Sequence, residues 1–280
     1  MAETPPSTAS DRNGAAFPEG VPCWVDAQLP DVEAGKRFYG ELFGWTFGPA
    51  AGSESGPAHG PAHGPAHGPA HGPAHGPAQG SSVWAYLDGD PVAALAPKGD
   101  GRMPTVWTVY FATPDAAALA GRIRTAGGQV INPPTPLAPL GTFALAADPE
   151  DAVFGLWQAG THPGFGRRHE PGSFGWTELY ARDTAAADSF YADLFHDALF
   201  GPGARPDFGR ASVTDVFPAE MPPHFLVHFG VREGDDAFED AIRAVNRLGG
   251  RVQVPSFDAS YGRVAVVTDN QGASFALLQR

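Results

Sequence analysis

The chain of 280 residues is long enough for one large domain or two ordinary ones, and its 42% hydrophobic and 11% aromatic content is typical of a globular protein. A formal net charge of −13 argues against binding the phosphate backbone of nucleic acid or an anionic membrane surface. No apolar run approaches the roughly 20 residues that cross a bilayer. Cys23 is the only cysteine, which excludes an internal disulfide and favours a reducing, cytoplasmic location.

Residues 1–20 lack the basic start and apolar core of a secretory signal. They are predicted to be a disordered tail. Residues 22–29 alternate as in a strand, with Trp24 on one face and Cys23 on the other. Pro30 ends this strand, and Asp31 is the predicted N-cap of a helix that ends at Gly44. The apolar stripe of that helix is formed by Phe38, Tyr39, Leu42 and Phe43.

A repeat then interrupts the first half. From Gly56 the tetrapeptide GPAH occurs five times, and a sixth copy, GPAQ, ends at Gln79. Proline at every fourth residue forbids a helix and the repeat has little to bury, so about 49–81 is predicted to be a disordered insertion. Its histidines are of a type that chelates nickel or zinc, but an inert repeat expansion is the favoured interpretation. They are His59, His63, His67, His71 and His75.

The rest of the first half alternates strands with one more helix. Thr113 and Pro114 are predicted to begin this helix, which carries Leu119 and Ile123 on its apolar face and stops at the glycine pair 127–128. Strands are predicted at 83–87, 91–96, 105–112, 129–131, 142–146 and 153–158. The first half therefore has the order β-α-β-β-β twice.

The second half repeats this order. Trp24 and Trp176 lie 152 positions apart and open the same strand–Asp–helix–Phe-Tyr pattern, whereas Asp148 and Asp269 lie only 121 positions apart in matching turns. The GPAH/GPAQ block accounts for most of this difference of 31. The rest of the difference between the two offsets predicts one shortened module between residues 195 and 224. The predicted organisation is a first domain at 21–158, a linker at 159–173 and a second domain at 174–280.

This arrangement resembles the vicinal oxygen chelate (VOC) superfamily, which includes glyoxalases, extradiol dioxygenases and bleomycin- or fosfomycin-resistance proteins. The matching motifs are the strand-PD-helix-FY-x-x-LFGW pattern at residues 22–45, the helix-GG-strand pattern and the D-P-x-D turn at 148–151. The likeness is greatest to two-domain actinobacterial members often labelled hydroxylases. It implies an α+β fold of four βαβββ modules in two glyoxalase-like domains, with curved mixed sheets that form open barrel-like cavities.

The resemblance also implies where a divalent metal would be held. The family's ligand positions fall on residues that cannot bind Zn, Fe or Mn as the family does. In this chain they fall on Trp24 and Trp176, near Thr108 and Leu226, and on Gly155 and Ala276. One further strand position is not registered, because of the insertion and the deletion, and one ligand could not hold an ion alone. We therefore expect no standard metal site and no cofactor, and a divalent metal only through other ligands.

Side chains on the same strand faces as those positions are predicted to line a pocket, because strand side chains repeat every two residues. In the first half these are Trp24, Asp26, Gln28, Thr108, Tyr110 and Trp157, and in the second half Trp176, Glu178, Tyr180, His224 and His228. Aromatic walls with a few polar groups suit a small aromatic or hydrophobic molecule. The alternative is that the tryptophans fill a vestigial cavity.

Glu178 and His228 are the candidate catalytic residues. They are suited to acid/base work, or with His224 to a displaced metal site. Cys23 is a poor nucleophile candidate because it faces away from Trp24.

Two functions follow: a metal-free binding protein for resistance or specialised metabolism, or an enzyme with lyase, isomerase or hydroxylase/dioxygenase-like chemistry. A third interpretation is a structural paralogue with filled cavities. The expected partner is a small-molecule ligand, with no nucleic acid or membrane, and the chain is expected to be a monomer or homodimer.

Overall fold

The computed structural model describes residues 17–50, 82–99, 104–204 and 206–280, so most of the predicted tail and most of the predicted histidine-rich insertion lie outside the described residues. The predicted tail ends earlier than residue 20, because Phe17 packs on Phe165 and Gly20 N donates to the Ala112 carbonyl oxygen. Within the described part, 14 strands form two curved mixed sheets with helices on their outer faces. The α+β fold of tandem βαβββ modules is thereby confirmed. No helix among the described residues combines the length and apolar character that a membrane span needs.

The first half contains two complete modules. Its elements are β1 (Pro22–Leu29), α1 (Val32–Phe43), β2 (Thr46–Gly48), β3 (Val83–Leu87), β4 (Asp90–Pro97), β5 (Trp107–Ala112), α2 (Ala116–Thr125), β6 (Gln129–Leu137), β7 (Gly141–Ala147) and β8 (Val153–Ala159). The eight strands lie in the order β2-β3-β4-β1-β5-β8-β7-β6. Each module returns its last strand parallel to its first, and the two modules join through the antiparallel pair β1/β5.

The second half contains β9 (Phe174–Ala181), α3 (Thr184–Phe200), β10 (Phe208–Ser212), α4 (Val213–Val216), β11 (His224–Gly230), α5 (Asp235–Arg247), β12 (Arg251–Ala259), β13 (Gly262–Thr268) and β14 (Ser274–Gln279). Its six strands lie in the order β10-β9-β11-β14-β13-β12. β10 runs parallel to β9, as β4 does to β1. Among the described residues, the third module therefore has one strand in the place of the three in the first module.

The predicted caps of the two first-half helices are confirmed with one exception. Asp31 accepts a hydrogen bond from Ala34 N, and Gly44 ends α1 in the left-handed region at φ 75°, as predicted. The predicted cap Thr113 is wrong: Asp115 caps α2, because its carboxylate accepts from the backbone of residues 117 and 118. The Thr113 hydroxyl instead accepts from Asp115 N, which places it one turn before the helix.

Strand β6 is longer than the predicted 129–131 and continues to Leu137 through three prolines. This is possible because β6 is the last strand of its sheet. An edge strand leaves one row of backbone N–H groups without a required partner, so proline removes no necessary hydrogen bond there.

The two halves are joined by reciprocal contacts of their first helices. Tyr39 on α1 donates to Asp269 Oδ2 of the second half at 2.9 Å, and Tyr191 on α3 donates to Asp148 Oδ2 of the first half at 3.1 Å. The other oxygen of each aspartate accepts backbone N–H groups of its own turn. Each half therefore packs its first helix against the final hairpin of the other half.

Candidate functional site

The inner face of the first sheet is packed with aromatic side chains. Trp24 points to this face and is only 3% exposed. Its ring contacts Trp84 at 5.2 Å, His162 at 4.4 Å and Phe165 at 5.7 Å between centroids. His162 and Phe165 come from the segment predicted as a linker, which therefore inserts into the first half. This end of the predicted pocket, including Trp157 at 5.6 Å from His162, is filled by the chain itself.

Asp26 is fully buried beside Trp24 on the same strand face. Its Oδ2 accepts from the Tyr110 hydroxyl at 3.0 Å, but its Oδ1 has no hydrogen-bond partner. Burial raises the pKa of Asp26 to about 7, against which the hydrogen bonds from Tyr110 and Thr108 act. Thr108 lies opposite Asp26 on β5, and Gln28 is partly exposed two residues further along. The main polar group of the pocket predicted in the first half is thus the desolvated carboxyl of Asp26.

His162 is the second buried side chain with an unpartnered atom among the described residues. Burial lowers its pKa to about 4, so the imidazole is neutral at pH 7. Leaving a buried polar atom unpaired costs about 1–3 kcal/mol. Both unpartnered atoms, His162 Nε2 and Asp26 Oδ1, therefore belong to the first half, in side chains packed near Trp24.

The second half brings Glu178 and His228 together around a tyrosine. Trp176 Nε1 donates to Glu178 Oε2 at 2.7 Å. The Tyr261 hydroxyl lies 3.4 Å from His228 Nε2 and close to Glu178 and Tyr180. Burial is the largest cause that raises the pKa of Tyr261, and these two groups raise it further. Burial raises the pKa of Glu178, while the hydrogen bonds from Trp176 and Tyr261 oppose this rise. Four predicted site residues therefore share one polar cluster.

His228 has a defined tautomer. Its Nδ1 lies 3.0 Å from the carbonyl oxygen of Leu226, which can only accept, so Nδ1 carries the proton. Burial lowers the His228 pKa to about 3, and the ring is therefore neutral at pH 7 with a lone pair on Nε2. That lone pair is directed towards the hydroxyl of Tyr261.

Strand register explains this placement. β11 runs antiparallel to β9 and sets His228 opposite Trp176, Leu226 opposite Glu178, and His224 opposite Tyr180. On the other side, β10 sets Gly209 beside Glu178. A Cβ at Gly209 would lie 2.6 Å from Glu178 Oε2, so this glycine makes room for the carboxyl.

His224 lies at the edge of this cluster. Its ring stacks on Tyr180 at 5.6 Å and meets Phe217 at 5.0 Å, and its Nδ1 lies 2.8 Å from the Pro222 carbonyl oxygen. Burial lowers the pKa of His224. It therefore packs beside the cluster as an aromatic wall.

Tyr261 is the site residue that sequence reasoning missed. It lies on the two-residue turn between β12 and β13, and its ring stacks on Trp176 with centroids 5.0 Å apart and planes at 25°. Strand alternation assigns no facing to a turn residue. The available signal was an aromatic residue directly before Gly262, whose φ of 142° permits a tight hairpin.

The inner face of the second sheet has its own apolar cluster, separate from the main core. Its buried members are Tyr180, Val213, Phe217, Leu226, Val264, Val266, Ala276 and Leu278. Its partly buried members are Trp176, Ala211, Val216, Met221, Val254, Phe257, Ala259 and Tyr261. The aromatic residues at the corresponding end of the first half belong to the main core. The second inner face therefore has partly exposed apolar side chains that are not part of the main core.

In the part of the chain that the structure describes, neither inner face carries a set of side chains that could coordinate the divalent metal that the fold family implies. Among the described residues, no group of three or more His, Cys, Asp or Glu side chains is placed to hold a metal ion. The polar cluster of the second half offers one carboxylate and one imidazole, accompanied by phenol and indole groups that are poor ligands for zinc.

Cys23 is buried on the opposite strand face, where its Sγ donates to the Tyr110 carbonyl oxygen at 3.4 Å. Burial raises its pKa, which disfavours the thiolate that a nucleophile requires.

Two other clefts lie away from both inner faces. A cleft of about 730 Å³ runs between α1, residues 167–172 and α5, and another of about 450 Å³ lies beside α5, β12 and β13. Charged side chains on their walls include Arg167 and Arg263, and both arginines are paired with acidic residues. Neither cleft contains a predicted site residue.

Two mixed sheets built from βαβββ modules, with a polar cluster on an inner face, define the class of this protein. The chain belongs to the glyoxalase/bleomycin resistance protein/dioxygenase superfamily, whose family model matches residues 24–156. It is 35% identical to the anthracycline biosynthesis protein DauV of Streptomyces sp. (strain C5), over 94% of each chain.

Solved structures share the fold at low sequence identity. The Mn(II)-bound glyoxalase from Novosphingobium aromaticivorans has a TM-score of 0.58 and 13% identity, covering 93% of this chain and 82% of its own. The 2,3-dioxygenase LapB from Pseudomonas sp. KL28 has a TM-score of 0.58 and 12% identity, covering 95% and 94%.

Proposed function

We propose that this protein binds a small, flat aromatic molecule on the inner face of its second half, without a metal ion. The observation that carries this proposal is the separate, partly exposed apolar cluster around Glu178, His228 and Tyr261. An apolar concave surface with a few convergent polar groups is the usual character of a small-molecule site. The polar groups orient the ligand and the apolar wall supplies most of the affinity.

Aromatic walls support a planar ligand. Trp176, Phe257 and Tyr261 are partly buried members of the cluster, and stacked aromatic pairs contribute about 0.5–1.5 kcal/mol beyond their buried area. The relative named for anthracycline biosynthesis supports a role in specialised metabolism or resistance. We place this role in the cytoplasm, in keeping with the single buried thiol.

Calorimetric titration with 2-methylanthraquinone, an uncharged planar probe, tests the proposal. We expect Kd to be unchanged by EDTA, because no metal takes part, and to rise about tenfold in Trp176→Ala, because the stacking surface is lost. Trp157→Phe in the filled first half is the matched control and is expected to keep the wild-type Kd. Loss of binding in EDTA, or equal Kd values for wild type and Trp176→Ala, would contradict the proposal.

A second function is favoured by one observation, the position of Glu178 and His228 around the Tyr261 hydroxyl. In this alternative the two residues perform acid/base steps in lyase, isomerase or hydroxylase/dioxygenase-like chemistry. Mass spectrometry of recovered ligand separates the two functions. A binding protein returns its ligand unchanged, whereas an enzyme converts it and loses turnover in Glu178→Gln or His228→Ala.

A further inference from the structure

Tyr261 holds a phenol group inside the candidate site. The residue belongs to the turn between β12 and β13, and its side chain folds over the inner face. Its ring stacks on Trp176, and its hydroxyl lies 3.4 Å from His228 Nε2, near Glu178 and Tyr180. An aromatic ring on Trp176 with a hydroxyl between a carboxyl and an imidazole is the arrangement that a bound phenol would adopt.

One acceptor of the cluster depends on Tyr261 for its donor. Trp176 donates to Glu178, and His228 Nε2 is a pure acceptor because Nδ1 holds the proton. The Tyr261 hydroxyl lies 3.4 Å from this nitrogen and is placed to supply its donor. If the Tyr261 side chain moves away, His228 Nε2 loses that donor, and a ligand that brings a hydroxyl group would replace it.

Tyr261 is also the member of this cluster that is easiest to move. It is partly exposed and lies on a hairpin turn, whereas Glu178 and His228 lie on inner strands and are 4% and 0% exposed. Outside the site the turn has little to hold the ring, since Tyr261 packs against the second apolar cluster and not against the main core. Displacing the tyrosine exposes the face of Trp176 and both acceptors together.

We propose that the ligand of the second half is a phenol whose ring and hydroxyl replace those of Tyr261. This inference rests on the proposed binding function and specifies its ligand class. In the free protein the tyrosine side chain occupies the ligand position and competes with the ligand. Glu178 and His228 then select for a hydroxyl group, because an ether at the same position cannot donate a hydrogen bond.

The test uses a matched pair of probes, 2-naphthol and 2-methoxynaphthalene, in calorimetric titrations of the full chain. We expect wild type to prefer 2-naphthol about tenfold, because the ether would leave a buried acceptor unpaired. Tyr261→Ala removes the competitor and is expected to bind 2-naphthol more tightly than wild type. Tyr86→Ala, which removes a partly exposed tyrosine of the first half, is the control and is expected to leave both Kd values unchanged.

A second variant tests the selecting group. Glu178→Gln replaces one acceptor oxygen by an amide donor, so the preference for 2-naphthol over 2-methoxynaphthalene is expected to fall below that of wild type. Thermal unfolding verifies that each variant is folded. Weaker 2-naphthol binding by Tyr261→Ala, or equal affinity of wild type for the two probes, would overturn the inference and leave the binding function standing. No binding of either probe by wild type or Tyr261→Ala would overturn both.

Discussion

Asp26 and Glu178 occupy equivalent strand positions in the two halves, 152 residues apart, and burial raises the pKa of both. Their partners differ. Asp26 is held by Tyr110 in a closed environment, whereas Glu178 meets Trp176 and the turn residue Tyr261 beside a partly exposed apolar wall. The same strand position thus carries a buried, desolvated carboxyl in the first half and a candidate ligand-binding carboxyl in the second.

The desolvated Asp26 makes stability depend on pH. Its pKa is 3.8 in its ordinary state and about 7 when folded, so the unfolded chain binds fewer protons between these values and stability falls as pH rises from about 4 to 7. The full effect is about 4 kcal/mol at most. We expect Asp26→Asn to gain unfolding free energy over wild type progressively across this range, as measured by urea denaturation at each pH.

The control for this experiment is Asp240→Asn, which alters an exposed carboxyl on α5. Its unfolding free energy is expected to stay within about 0.5 kcal/mol of the wild-type value, as is usual for an exposed surface substitution. A difference between Asp26→Asn and wild type that stays constant with pH would show that Asp26 is not the group responsible.

At the scale of elements, local signals predicted most strands and helices, because caps and alternation act within a few residues. Asp31 and Gly44 bound α1 as predicted. The errors came from competing local chemistry, namely Asp115 taking the cap from Thr113 and an edge position tolerating the prolines of β6. The inner-face residues followed from the two-residue period, whereas Tyr261 did not, since a turn has no such period.

The contacts between helices and distant turns had no local signal. Tyr39 and Asp269 are 230 positions apart, and the motifs that contain them are recognisable without any indication that they touch. In the structure, the repeated motifs form the contacts between the halves. Each half needs both motifs, the first helix and the final turn, because each of them packs against the other half.

These tyrosine–aspartate pairs are expected to stabilise the joined halves. Tyr191→Phe leaves buried Asp148 Oδ2 without its hydroxyl donor, and Tyr39→Phe does the same for Asp269. Each change is expected to lower the unfolding free energy by about 1–3 kcal/mol, the usual effect of an unpaired buried acceptor. Guanidinium denaturation measures this, with Tyr86→Phe, whose hydroxyl bonds an exposed carbonyl, as the control. Losses no larger than that of the control would refute the role.

At the scale of the whole molecule, a metal bound by the two domains must be distinguished from a metal bound by the histidines of the GPAH repeat. Deleting residues 53–80 removes five histidines and leaves every described strand and helix in the chain. Because no described residues form a metal-holding group, we expect this shortened protein to contain less than one equivalent of Zn, Fe or Mn by elemental analysis. The intact chain is the comparison. A stoichiometric metal in the shortened protein would contradict metal-independent binding.

The reciprocal pairing of α1 and α3 with the opposite hairpins also bears on how such a chain can evolve. Each half has its own sheet, yet each keeps part of its core on the helix of the other. Recombination that replaced one half with a foreign module would break both tyrosine–aspartate pairs at once. A foreign half could therefore replace one of these halves only if it supplied a tyrosine and an aspartate in the matching places, so the tandem is expected to be exchanged as a whole.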